Sequence, residues 1–224
     1  MPIRRKSVAY VAPMLVFVVL LSLSAMLKKV DHQFWLTAAD YWIYPLQTIV
    51  CGSLVIWFRR NYDFERPRNI ALTIFVGVLV FVLWVSPQQF LGFPARNAGF
   101  NPDLFAHHPL LYWPTVAFRF LRLVIVVPLI EEVFWRGFLL RFLIDEDFER
   151  VQFGTFSWSS FIVVAVAFGF SHSADDWIAA CLTGAIYNGV AYRTKSLWSC
   201  VLAHAMTNLL LGIWIVSTKQ WGFW

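Results

Sequence analysis

The fold of this chain is decided by the stretch Val127-Pro-Leu-Ile-Glu-Glu-Val-Phe-Trp-Arg-Gly-Phe-Leu-Leu140, which places two adjacent acids and one arginine inside an apolar run. A charged side chain at the centre of a membrane helix costs about 2.5–3.5 kcal/mol on insertion scales, so these groups need polar partners. Glu132 and Arg136 are four residues apart and can pair on one face of a helix. Glu131 is turned by about 100° from Glu132, so we expect it to find other partners.

The composition is that of a polytopic membrane protein. Of the 224 residues, 59% are hydrophobic and 14% are charged, whereas a soluble domain has about 25% charged residues. The net charge is +5, but lysine and arginine lie between the apolar blocks. This placement is typical of topology signals and excludes a nucleic-acid-binding surface.

Seven apolar segments predict an all-α, polytopic transmembrane helical bundle that forms one integral membrane domain over residues 1–224. The segments are residues 8–27, 41–58, 70–85, 115–143, 157–171, 177–192 and 197–216. An eighth span could lie within residues 86–114, although the five prolines there argue against a long helix. We therefore expect seven to eight spans. Asp176 is expected to cap the sixth of the seven segments through its side chain.

The basic residues between the segments predict the orientation of the bundle. Arg4, Arg5 and Lys6 precede the first segment, residues 59–68 and 193–195 form further basic loops, and residues 145–150 form a short charged loop. With seven spans, all of these lie on the cytoplasmic side, as the positive-inside rule requires. Lys28 and Lys29 fall on the opposite side and count against this orientation.

Three more residues of the fourth segment have structural consequences. Arg119 and Arg122 lie near its start, where two roles are open: their side chains reach to the membrane interface, or they anchor an anionic group of a substrate. Pro128 precedes Glu131 by three residues and lacks the N–H that would bond to the Val124 carbonyl. We expect a kink beside the acids.

Polar residues on two later segments complete a candidate hydrolytic site. His172 ends the fifth segment, and His204 and Asn208 lie on one face of the last segment. A carboxylate, imidazoles and an amide can together hydrolyse an acyl bond. In this hypothesis Glu131 is the general base, His172 helps to bind and activate water, and His204 and Asn208 donate hydrogen bonds to the oxyanion. The Glu132–Arg136 pair would hold the helix that carries the base.

The same side chains also allow a metal site. Glu131, His172 and His204 could bind a divalent ion such as zinc, since catalytic zinc sites commonly use three protein ligands and a water molecule. Asn208 is a poor zinc ligand, which favours a metal-free site slightly. Both alternatives stay open at the level of sequence.

The motifs resemble those of the CPBP family of intramembrane proteases, which includes the Ras-converting CAAX endopeptidases and bacterial abortive-infection-type proteins. The family pattern EExxxR, FxxxH and HxxxN matches Glu131-Glu-Val-Phe-Trp-Arg136, Phe168-Gly-Phe-Ser-His172 and His204-Ala-Met-Thr-Asn208. The resemblance implies a catalytic core over residues 115–217, in which Glu131 and His172 activate water and His204 with Asn208 completes the site. The short chain is most similar to the bacterial branch, which includes proteins associated with exosortase systems.

The leading hypothesis is an intramembrane endopeptidase, dependent on glutamate or on a metal, in the inner membrane of a bacterium. Its partners would be membrane lipids and a membrane-associated protein or peptide substrate, with no nucleic acid. The sequence does not predict the oligomeric state. Two alternatives come from other classes: a non-catalytic membrane scaffold or maturation partner, and a proton-coupled transporter with a carboxylate–histidine relay. The transporter is disfavoured because the chain lacks two related halves.

Overall fold

All regular structure in the described residues is helical, which confirms the predicted fold class. The computed structural model describes residues 5–30, 33–96 and 99–224; Arg4 and the side chain of Arg5 lie outside this part of the chain. Seven long helices are found there. They are α1 (Arg5–Val30), α2 (Asp40–Phe58), α3 (Ile70–Phe90), α4 (residues 109–142), α5 (Trp158–Phe170), α6 (Trp177–Thr194) and α7 (Leu197–Thr218).

The helices identify an integral membrane protein. By length and hydropathy, four helical stretches in the described residues could each cross a bilayer: Lys6–Lys29, Asp40–Asn61, Ile70–Phe90 and Leu197–Thr218. Many large apolar side chains on these helices point outward, including Val19 (63% exposed) and Phe75 (62% exposed), as lipid-facing positions do. Helix α5 has only 13 residues, a length of about 20 Å, which is shorter than the hydrocarbon core of a bilayer.

Helix α4 is the central element, and its hydrogen-bond register changes along its length. It contains two π-helical stretches, Arg122–Val126 and Val133–Leu139, on either side of an α-helical stretch, Val127–Glu132. The helix begins at Pro109 rather than at residue 115, so the predicted start is six residues too late. The reason is that proline is favoured at the first position of a helix, where its missing N–H has no intrahelical partner.

Glycines bring pairs of helices close together around α4. Helix α7 packs against α3 and α4, and α5 packs against α6. A Cβ added to Gly77 would lie 2.7 Å from the Met206 Cβ, and one added to Gly169 would lie 2.1 Å from the Cys181 Sγ. These approaches fix how α7 and α5 present their polar residues to α4.

The segment before α4 is joined to the end of the chain. Residues 99–108 contain a short 3₁₀ helix, Pro102–Phe105, and the Phe100 N–H donates to the Trp224 carbonyl at 3.0 Å. Arg96 forms an ion pair with Asp176, which also accepts a hydrogen bond from Ser173. The α6 helix begins after Asp176 as expected, but its side chain makes no capping hydrogen bond because the carboxylate is engaged by these partners.

Candidate active site

The predicted pair at the centre of α4 is fully buried. Arg136 Nη1 donates to Glu132 Oε1 at 3.0 Å, and both side chains have 0% exposure. The neighbouring helix α6 supplies two more acceptors for the guanidinium. Nε donates to Asn188 Oδ1 at 3.1 Å, and Nη2 donates to the Gly184 carbonyl at 3.0 Å. A planar fork of donors suits this set of acceptors, so Arg136 ties α4 to α6.

Sequence reasoning missed Asn188 and Gly184. Asn188 is a buried amide within an apolar helix, and Nδ2 of the same side chain donates to the Phe161 carbonyl at 3.1 Å. It therefore bridges α4 and α5. The available signal was an asparagine four residues after a glycine in an apolar segment, a spacing that puts both on one helix face.

Glu132 has a second partner that its spacing does not predict. His204 Nδ1 lies 2.9 Å from Glu132 Oε1, the same oxygen that accepts from Arg136. A carboxylate oxygen accepts, so the proton is assigned to Nδ1, and Nε2 is the other nitrogen of the ring. The imidazole also lies against the Tyr187 ring, with the centroids 5.3 Å apart. Glu132 therefore orients His204 in addition to pairing with Arg136.

Asn208 is held by the irregular register of α4. The Val127 N–H donates to the Arg122 carbonyl, five residues back. In this register the Leu123 carbonyl would need the N–H of Pro128, which has none. Asn208 Nδ2 supplies the missing donor at 2.8 Å. The sequence predicted that Pro128 leaves the Val124 carbonyl without its N–H donor. Because the helix is π-helical there, the carbonyl that lacks this donor is that of Leu123 instead.

His172 lies two residues past the end of α5, and that helix orients its side chain. Its Nδ1 lies 2.8 Å from the Phe168 carbonyl, which assigns the proton to Nδ1 and directs the Nε2 lone pair elsewhere. The ring lies between aromatic neighbours, with centroids 4.8 Å from Phe168 and 5.5 Å from Trp84. The FxxxH spacing thus lets Phe168 contribute both a carbonyl and a ring to the position of His172.

Four of the six predicted site residues line one cavity of about 290 Å³: Glu131, His172, His204 and Asn208. Glu132 and Arg136 lie behind its wall. Glu131 is 8% exposed, and its Oε2 has no hydrogen-bond partner among the described residues. Glu132 Oε2 also lacks a partner, so the two acids differ in other respects: Glu132 is paired through Oε1 and does not line the cavity, whereas Glu131 lines it.

The metal alternative is not supported by this geometry. Within the described part of the chain, no three side chains of His, Cys, Asp or Glu lie close enough to hold a metal ion. Glu131, His172 and His204 share a cavity but do not form such a group. The donor set does not fit a zinc ion in this arrangement, and we derive no step through a metal.

Arg119 and Arg122 are buried inside the protein. Their exposures are 6% and 7%. Arg122 Nε donates to Gln47 Oε1 at 2.7 Å, and its Cζ lies 4.4 Å from the Tyr44 ring centroid. Both guanidiniums are enclosed by side chains of other elements, so neither is exposed as the first of the two roles would require.

Comparison with known proteins supports the motif assignment. Residues 113–210 match a family model described as type II CAAX prenyl endopeptidase Rce1-like. The match covers less than half of the chain and shows that residues 113–210 are similar to that family. Among curated proteins and among solved structures, no match was found. The matched residues contain most of α4, all of α5 and α6, and most of α7, and they include all six predicted site residues.

Proposed function

We propose that this Rce1-like protein is an intramembrane endopeptidase that hydrolyses a peptide bond of a membrane-associated protein. One observation carries the proposal: a cavity inside an apolar bundle is lined by a carboxylate, two imidazoles and an amide from three helices. Polar groups are costly at this depth and mark function by default. The similarity of residues 113–210 to CAAX endopeptidases supports protease chemistry.

Glu131 is the general base in this proposal. Its unpartnered Oε2 accepts a proton from a water molecule as the water oxygen attacks the carbonyl carbon of the peptide. His172, fixed through Nδ1, presents Nε2 to a second hydrogen of the same water molecule. When the C–N bond breaks, the proton held by Glu131 passes to the leaving nitrogen. The products are a carboxylic acid and an amine, and the carboxylate of Glu131 is restored.

His204 and Asn208 stabilise the oxyanion of the tetrahedral intermediate. A protonated His204 donates from Nε2, and Glu132 on the other side of the ring stabilises that imidazolium. Asn208 commits one hydrogen of its amide to the Leu123 carbonyl and keeps the second for the oxyanion. Such a donor commonly contributes about 3 kcal/mol to the transition state.

The test is cleavage in reconstituted liposomes. Membrane proteins extracted from the source cell serve as the substrate pool, and new peptide termini are identified by mass spectrometry. We expect termini that depend on the wild-type protein and disappear with Glu131→Gln or His172→Ala, a loss of about 10²–10⁴-fold for a general base. Matched controls are Glu146→Gln and His107→Ala, since both side chains are exposed and far from the cavity wall. Cleavage that persists in both site variants rules out the proposed roles.

The basic loops also bear on the orientation of the protein in its membrane. We infer a bacterial inner membrane with the amino terminus in the cytoplasm, because the basic loops then lie inside. A fluorescent protein fused to the amino terminus is expected to fold and fluoresce in the cytoplasm, and alkaline phosphatase fused there is expected to be inactive. The reverse result would invert the topology.

A further inference from the structure

Loops that carry many of the basic residues lie together at one end of the bundle. Lys6 forms ion pairs with Asp63 at 2.9 Å and with Glu149 at 3.9 Å, so the start of α1 meets the loops that follow α2 and α4. Ser196, between α6 and α7, donates to the Glu65 carbonyl at 3.2 Å. We call this region the basic end, which comprises Lys6 and residues 59–68, 145–150 and 193–196. Lysine and arginine concentrated at one end of a membrane bundle mark its cytoplasmic side.

A second set of contacts defines the opposite end of the bundle. Gln89 Nε2, near the end of α3, donates to Gln220 Oε1, just after α7, at 3.2 Å. Arg96, after α3, forms an ion pair with Asp176, which directly precedes α6. Helices α3 and α7 begin at the basic end and α6 ends there, so a helix length of about 30 Å separates these contacts from the basic end. We call this region the far end, which comprises residues 91–96, 171–176 and 219–224.

The candidate cavity reaches the far end and not the basic end. Arg96, Asp176 and Phe223 of the far end line it together with Glu131 and His204. The first three are partly exposed, whereas Glu131 and His204 are buried, so access to the surface increases towards the far end. In the part of the chain that the structure describes, no residue that lines the cavity belongs to the basic end. The geometry places the entrance of the cavity at the far end.

The rim of this entrance is polar. Arg96 and Asp176 are paired there, and the Arg96 Cζ lies 3.7 Å from the Phe223 ring centroid. Charged side chains at a membrane interface keep their charged groups in water. An extended peptide segment has unpaired N–H and C=O groups, which cost several kcal/mol each in hydrocarbon. A scissile segment, and the water that cleaves it, therefore enter through the polar rim rather than from the lipid.

We propose that the cavity is entered from the non-cytoplasmic face of the membrane, and that its substrates are exported proteins whose scissile segment lies at that face. The inference rests on the proposed function for the reaction, but the entry face is measurable without cleavage. Because the basic end is cytoplasmic by the positive-inside rule, the far end and its entrance lie on the opposite side. Soluble cytoplasmic proteins and the cytoplasmic tails of membrane proteins are excluded as substrates by this assignment.

Labelling of introduced cysteines tests the entry face. Phe223→Cys places a thiol at the rim, and Glu146→Cys places one at an exposed position of the basic end. Each variant is expressed in bacterial cells, which are converted to spheroplasts and treated with a membrane-impermeant maleimide. We expect Phe223→Cys to react in intact spheroplasts and Glu146→Cys to react only after lysis. The wild type, with Cys51, Cys181 and Cys200, gives the background.

A pair of variants on α7 tests whether the reagent enters the cavity itself. Leu211 and Ile215 are one turn apart and both buried; Leu211 lines the cavity, whereas Ile215 does not and lies nearer the far end. A buried thiol outside a cavity reacts only when the protein opens locally, so we expect Leu211→Cys to react from outside about tenfold or more faster than Ile215→Cys. Equal rates overturn the proposal. Reaction of Phe223→Cys only after lysis also overturns it, even if a variant on α7 fails to fold.

Cleavage in oriented vesicles tests the substrate class. A soluble peptide that spans a cleavage site found in liposomes is added to right-side-out and to inside-out membrane vesicles. We expect cleavage by right-side-out vesicles, none by inside-out vesicles, and none with Glu131→Gln. Cleavage confined to inside-out vesicles overturns the proposal. If the cavity is labelled from outside and neither vesicle type cleaves a peptide, the entry face is supported and the proposed function fails, so the two failures are distinguishable.

Discussion

His204 Nδ1 lies 2.9 Å from Glu132 Oε1, so the second of the two adjacent acids, and not the first, holds the imidazole on α7. The same oxygen accepts from Arg136. One buried carboxylate therefore joins the EExxxR motif to the HxxxN motif and fixes α7 against α4. Glu131 is left free of both and faces the cavity. Because the two acids have different surroundings, we expect their variants to differ in stability and in activity.

Glu131→Gln and Glu132→Gln are expected to differ in stability. Glu132 is in a buried pair, and breaking such a pair costs about 3–5 kcal/mol, so Glu132→Gln should lower the free energy of unfolding strongly. Glu131 has no ion pair among the described residues, so Glu131→Gln should leave stability nearly unchanged while cleavage is lost. Thermal unfolding of both variants in detergent checks this. Equal destabilisation would contradict the two environments.

Arg136→Lys is expected to destabilise the protein although the charge is kept. A lysine ammonium cannot donate in one plane to Glu132, Asn188 and the Gly184 carbonyl as the guanidinium does. Each buried acceptor left without a donor costs about 1–3 kcal/mol. The measurement is the unfolding midpoint in detergent, with Arg193→Lys, at an exposed position near the end of α6, as the control. An unchanged midpoint would mean that charge alone is sufficient.

Asn208→Asp is expected to be worse than Asn208→Ala for the local structure of α4. The amide now donates to the Leu123 carbonyl, and an aspartate would place an acceptor against that carbonyl. We expect a loss of about 1–3 kcal/mol for the unsatisfied group. Hydrogen exchange should rise mainly at residues 122–128. If exchange there stays at the wild-type level in both variants, the side chain does not support the π-helical register.

Gly169→Ala is expected to separate α5 from α6 and to disturb His172, three residues further along. The new Cβ would lie 2.1 Å from the Cys181 Sγ, an overpacking that typically costs about 1–3 kcal/mol. Cys181→Ala removes that sulfur, so the double variant should recover much of the stability and of the cleavage rate. Activity and unfolding midpoint are measured for all three variants. Failure of the second substitution to restore either would place the cause elsewhere.

Helix α4 shows most clearly which contacts could be predicted from the sequence and which could not. The apolar segments predicted all seven long helices, and the four-residue spacing of Glu132 and Arg136 correctly allowed their pairing. The partners on other helices were not predictable, because Asn188 is separated from Arg136 by 52 positions and no local pattern relates them. The two π-helical stretches also made these contacts unpredictable, since each of them changes which side chains share a face of the helix.

By itself, the sequence determined that the chain forms membrane helices and that specific polar residues lie within them. Hydrophobicity and helical spacing are local properties, so they can be read along the chain. Only the tertiary structure decided which acid meets His204, which carbonyl holds Asn208, and that Arg119 is enclosed by rings rather than exposed at the interface. These contacts depend on how each helix is rotated and how closely it packs. Helix rotation and packing are fixed by all neighbouring helices together.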